Sequence, residues 1–283
     1  MLGAILQLDI VLFARDLLQV TEEWSARLIT FLGVGIALGS MAAGRLSGDK
    51  VELGLTPLGS IGMGFAGLWL ASSGNSYTWA AVSMGFLGFA GGLFIVPLSS
   101  LLQQRSDPKE RGRLIATNNF VNMFGVPLAS GALYLFADVL AFSPDRIVGL
   151  FGWVTFAVTL YMLTLIPDFL IRFVLWGLTH TFYRIRIVGQ ENVPFRGPAL
   201  LVSNHVSLID GFFVGACVQR FIRFLVYRPY CEQQPFHWVL RKMNAIPIQG
   251  GDPEKVAESI ELAREQLRQG HIVCITTVRL TTH

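Results

Sequence analysis

The residues best equipped for chemistry lie together in Asn204-His205-Val206-Ser207-Leu208-Ile209-Asp210. An apolar run, Ala199-Leu200-Leu201-Val202, precedes them and reads as a buried strand; a second, Gly211-Phe212-Phe213-Val214, follows. Polar groups are thereby placed at a strand end, where a pocket can form. A histidine takes a proton near neutrality, and a nearby carboxylate fixes its tautomer and stabilises the imidazolium. His205 and Asp210 have the types for those roles. Five positions on an ideal helix turn the second side chain roughly 140° from the first, so the pair meets only if the backbone bends between them. The stretch is therefore expected on a turn leading into a helix. A bare His/Asp pair also fits a hydrogen-bonded structural histidine and a helix cap, and the pair by itself leaves both readings open.

The complete stretch resembles the NHxxxxD signature of the lysophospholipid and glycerol-phosphate acyltransferases. Ala245-Ile246-Pro247-Ile248 resembles that family's second block, and Gly270-His271-Ile272-Val273-Cys274-Ile275 resembles the approach to its third. The likeness covers roughly residues 175 to 283. It implies that His205 is the general base on an acceptor hydroxyl, that Asp210 orients it, and that an acyl thioester is attacked. Asn204, Ser207, Arg223, Arg228 and Arg279 are the expected substrate-binding side chains. The donor would be acyl-acyl carrier protein or acyl-CoA, with no cofactor and no metal. Two departures stand out. Gln249 and Gly250 occupy the place where the second block usually carries an arginine, and Thr276-Thr277-Val278-Arg279-Leu280-Thr281-Thr282-His283 replaces the expected FPEG-type block.

Arg220, Arg223 and Arg228 follow the signature, and arginine's fork of donors suits a phosphate. Solvated surface arginines are the competing reading. Cys217, Cys231 and Cys274 lack CxxC spacing, so neither a disulfide framework nor a zinc site is expected.

The elements that must hold this stretch sit in an unusual chain. Of 283 residues 52% are hydrophobic and 14% charged, and the mean hydropathy is +0.53. That composition is too apolar for an ordinary soluble enzyme and reads as a membrane protein. A net charge of +3 without a basic stripe gives no case for nucleic acid. Long apolar stretches lie almost wholly before about residue 175. A spanning helix needs about 20 apolar residues, and six candidates appear, near 3 to 20, 28 to 46, 53 to 73, 77 to 102, 114 to 139 and 147 to 166. The expected division is a helical membrane part over 1–166, an interfacial amphipathic connector over 167–186, and a partial α/β acyltransferase domain over 187–283.

Within the membrane part, Asp9 in the first segment and the same-face pair Asn118 and Asn122 in the fifth are polar groups at depth, expected to line a transport path or to bond between helices. Glycines including Gly33, Gly35, Gly39, Gly85, Gly88 and Gly92 point to close helix packing rather than to substrate. Loop charges orient the bundle: the connections around Arg45 and Lys50 and from Arg105 to Arg113 are basic, whereas Ser72-Ser73-Gly74-Asn75-Ser76 has no Lys or Arg. The positive-inside rule makes the first two cytoplasmic and the third external, which leaves both termini cytoplasmic after six crossings.

Gly44-Arg45-Leu46-Ser47-Gly48-Asp49-Lys50 and the turn Glu110-Arg111-Gly112 resemble the charged loops of the major facilitator superfamily, especially lysophospholipid transporters fused to an acyltransferase. Such transporters have two six-helix halves, and this chain resembles the second half followed by the start of the acyltransferase. The expectation is a fragment of a lysophospholipid-remodelling protein of a bacterial inner membrane, acting on lysophosphatidylethanolamine, with the acyltransferase part cytoplasmic. The alternatives are a transport module with an inert tail and a non-functional fragment.

In the second part, strands are expected near 184 to 188, 199 to 203, 222 to 227, 245 to 249 and 271 to 276, alternating with helices near 209 to 219, 234 to 243 and 253 to 269. Asp252-Pro253 is a cap-and-first-turn pair, and Val256, Ile260, Ala263 and Leu267 form the expected apolar stripe of the last helix.

Overall fold

The computed structural model describes residues 2–47, 51–74, 76–165, 177, 187–189, 192–194, 197–204, 210–218, 220–232, 237, 240–241 and 243–277. The chain divides into two units, Met1–Leu165 and Ile166–His283. Of the connector expected over 167–186, all but Gly177 lies outside the described residues.

Among the described residues of the first unit are six helices: α1 (Leu2–Asp16), α2 (Glu22–Ser47), α3 (Leu55–Ala71), α4 (Tyr77–Arg105), α5 (Arg111–Tyr134, continued by a π turn over Leu135–Val139) and α6 (Pro144–Leu165). Four of them, over Glu22–Ser47, Tyr77–Gln104, Arg111–Val139 and Pro144–Thr164, are long and apolar enough to cross a bilayer. Six helices stand where six candidate segments are expected, and the first and third are the shorter ones. α3 has 17 residues, about 25 Å of helix against a hydrocarbon core of about 30 Å. α1 has 15.

Glycine makes the α2–α4 contact possible. A methyl group on Gly35 would collide with the carbonyl of Gly85, one on Gly39 with that of Phe89, and from the other side one on Gly88 with that of Leu32. Gly35 and Gly39 are four apart and share a face, so the two backbones meet where other helices would interpose side chains. Gly67 and Gly152 repeat the device between α3 and α6, where the hydroxyls of Ser60 and Thr159 also hydrogen-bond. Ile10, Phe13, Leu28, Leu70, Met84 and Ile147 fill the core. The outer face is apolar as well: Phe120, Met123 and Leu128 on α5 are each more than 60% exposed, an arrangement suited to lipid and costly in water.

In the second unit four strands, β1 (Ala199–Asn204), β2 (Ile222–Tyr227), β3 (Ile246–Ile248) and β4 (Ile272–Thr277), form a sheet of order β1-β4-β2-β3. Every pairing is parallel. Among the described residues, the helices between them include α7 (Asp210–Cys217), α8 (Arg228–Glu232) and α9 (Pro253–Arg268). β4 is the central strand, with Ile272, Val273 and Cys274 fully buried. Its alternating side chains serve two layers: Ile272 and Cys274 pack with Val218, Ile222, Phe224 and Met243, and Val273 packs with Ile246 and Ala263.

Asp252 caps α9, its side chain accepting from the Glu254 N–H at 3.1 Å, with Pro253 in the first turn. Of the apolar stripe expected on α9, Val256, Ala263 and Leu267 turn inward and Ile260 does not. Ile260 is more than half exposed, and the buried positions are Ser259 and Ala263. Ser259 can enter the interior because its hydroxyl donates to the carbonyls of Pro247 and Lys255, each at 2.8 Å. A strand near 184 to 188 is not found in its described part, residues 187–188, and the helix expected near 234 to 243 lies mostly outside the described residues.

Candidate functional site

β1 ends on Asn204, which is exposed, and α7 begins on Asp210, which is half-buried. The five residues between them, His205 and Ser207 included, lie outside the described residues, as does Arg279. The stretch is thus flanked by a strand end and a helix start. Asn204 faces the end of β4, since Asn204 and Thr277 are Cα partners in the parallel β1–β4 register. Ligands of open parallel sheets bind outside the carboxyl ends of the strands, and Asn204 and Asp210 bracket that edge. Asp210 in the first turn of α7 also complements the helix dipole.

The arginines separate. Arg228 opens α8 immediately after the last residue of β2, so it belongs to the carboxyl edge. Arg223 is the second residue of β2, in register with Val273 near the start of β4. Its Nη1 donates to the Met243 carbonyl at 3.2 Å. Arg223 therefore sits at the opposite edge from Asn204, and the expected substrate-binding set is not brought together there. Arg220 is occupied structurally: Nη1 donates to the carbonyls of Pro194 at 3.1 Å and Gly197 at 2.6 Å, and Nη2 to that of Gly270 at 2.6 Å. Neither a free phosphate ligand nor a solvated arginine describes it.

The thiols are unbonded to one another. Burial raises the Cys274 thiol pKa to about 11. Burial also raises that of Cys231, with Glu232 adding to the effect and Arg228 opposing it.

In the first unit, Asn118 and Asn122 border a 620 Å³ open cavity between α4 and α5, together with Ile95, Leu98, Ser99 and Leu102. Asp9 is fully buried among core residues of α1, and neither carboxylate oxygen has a hydrogen-bond partner among the described residues.

Residues 1–130 match the family described as Major Facilitator Superfamily, and residues 184–276 match the family described as Acyltransferase. The chain joins a major facilitator region to an acyltransferase region. No curated protein and no solved structure matches it. Asp9, Asn118 and Asn122 fall within the major facilitator match, and Asn204, Asp210, Arg223 and Arg228 within the acyltransferase match. Four apolar helices and the major facilitator region make this a membrane protein. Sequence reasoning missed Ser259 because its polarity hides a buried position. It also missed the carbonyl-bridging role of Arg220, whose partners are 23, 26 and 50 residues away.

Proposed function

We propose that the acyltransferase region transfers an acyl group from a thioester, acyl-acyl carrier protein or acyl-CoA, to the free hydroxyl of a lysophospholipid, with lysophosphatidylethanolamine as acceptor. The observation that carries this reading is the placement of Asn204 and Asp210 around the carboxyl edge of a parallel sheet inside a span that matches the Acyltransferase family. In the proposed step His205 takes the proton of the acceptor hydroxyl while the oxygen attacks the thioester carbonyl, with Asp210 orienting the imidazole. The C–O bond forms, the C–S bond breaks, and the proton passes to the departing thiolate, giving a free thiol. General-base help of this kind contributes about a hundredfold to ten-thousandfold. Arg228 and the N-terminus of α7 stand at the same edge, where an acceptor's phosphate would gain from positive charge.

The major facilitator region would carry the lysophospholipid, with Asp9, Asn118 and Asn122 as polar points along its path. Loop charge supports a bacterial inner-membrane orientation with the acyltransferase region cytoplasmic. The test is release of free thiol from an acyl donor by purified membranes. Release that depends on added lysophospholipid supports the reading, and its absence in active membrane preparations with every donor contradicts it.

A further inference from the structure

At the amino ends of the strands, away from Asn204, lies an open pocket of 480 Å³ bordered by Arg223, Arg241, Asn244, Gln266, Gln269 and His271. Among the described residues none of its bordering side chains is acidic, and every one of these six can donate a hydrogen bond. Ile246 and Pro247 at the start of β3 supply part of its apolar floor.

The backbone fixes the pocket's shape. The helical turn containing Leu240 and Arg241 is closed by Asn244 at φ 47°, whose N–H donates to the Arg241 carbonyl at 3.1 Å, while the Ala245 N–H donates to that of Leu240 at 2.9 Å. Asparagine tolerates this left-handed geometry better than most side chains. On the far side α9 ends, its last carbonyls accepting from the N–H groups of Gln269, Gly270 and His271. Those helix ends would oppose an anion with about half a charge each. Arg223 and Arg241 bring a full positive charge each to the pocket's border. Glu265, on the last turns of α9, accepts from Nε2 of Gln269 at 3.0 Å. His271 lies within reach of these cations: its pKa is lowered by burial first and then by the charges of Arg223 and Arg220.

We propose that this amino-edge pocket binds a phosphate-type anion, at a site separate from the carboxyl edge and independent of the acyl-transfer reading. Arg223 and Arg241 supply charge-assisted donors, Asn244 and the two glutamines supply neutral ones, and His271 becomes a third cation as it takes up a proton with the ligand. The anion could arrive as free phosphate or as the head group of a phosphatidic acid, because both present the same oxygens.

The experiment is an NMR titration of the His271 imidazole in the full chain in detergent. Added inorganic phosphate should raise the His271 pKa, and chloride at matched ionic strength should not. By linkage, phosphate should bind more tightly as pH falls. Arg241→Gln, at an exposed position, should weaken phosphate about tenfold. In nanodiscs without free phosphate, a shift caused by phosphatidic acid but not by phosphatidylcholine identifies a lipid head group as the source, and a shift seen with inorganic phosphate alone identifies a soluble one. Either supports the site. An unmoved His271 in both arms, or equal phosphate affinity in Arg241→Gln, overturns it.

Discussion

Asn204 and Thr277 are Cα partners at the carboxyl ends of the adjacent parallel strands β1 and β4. Neighbouring strands lie about 4.8 Å apart, so Asn204 and Thr277 share one edge of the sheet. The order β1-β4-β2-β3 inserts the last strand between the first two, which joins the start of the His205 stretch to residues more than seventy positions away. Arg228 at the end of β2 and the Asp252 cap after β3 complete the same edge. Arg223 and His271 mark the opposite one.

Close approach of α2 and α4 sets a stability contrast. Gly35→Ala and Gly39→Ala should each lower the thermal stability of the membrane unit, because the added methyl meets backbone carbonyls that cannot move independently. The cost expected is about 1–3 kcal/mol or more. Gly33→Ala, with open space around its Cβ position, should be neutral or slightly stabilising. Melting of the three purified variants in one detergent checks this; equal melting temperatures would refute the packing.

The orientation proposed from loop charge has its own check. With Cys217 and Cys231 replaced, Ser76→Cys should react with an impermeant thiol reagent in intact cells, and Lys109→Cys only after permeabilisation. Cys274 can stay, being fully buried with its pKa raised to about 11. The opposite labelling pattern reverses the topology.

Much of this fold could be read directly from residue pattern. β2 over 222–227 stands out as Ile-Arg-Phe-Leu-Val-Tyr, and Asp252-Pro253 announces α9, because both signals are local. One position on α9 is not local in this way: Ser259 turns inward, with Ile260 left exposed, because its hydroxyl reaches the Pro247 carbonyl, twelve residues away in sequence. The division of the arginines between edges was equally invisible, since it follows from strand register. His205 rests on its chemistry beside Asp210 and on the family resemblance, Ser207 and Arg279 on the resemblance, and all three lie outside the described residues.

His271 gives a pH dependence. Burial, then Arg223 and Arg220, lower its pKa below the ordinary 6.5, so between the folded and unfolded values the unfolded chain binds more protons. Stability of the acyltransferase unit should therefore fall as pH drops from 6.5 toward the lowered value, and level off below it. His271→Asn should flatten that slope. Denaturant melts of the full chain across this window, without phosphate, would disprove the effect if the two proteins showed the same slope.

The central claim is acyl transfer assisted by His205, and the most direct measurement is lysophospholipid-dependent thiol release by the chain beside its His205→Ala variant at matched membrane insertion. The account predicts release by the parent and a loss of about a hundredfold to ten-thousandfold in the variant, with a smaller loss in Asp210→Asn. Equal turnover by the parent and His205→Ala would contradict it.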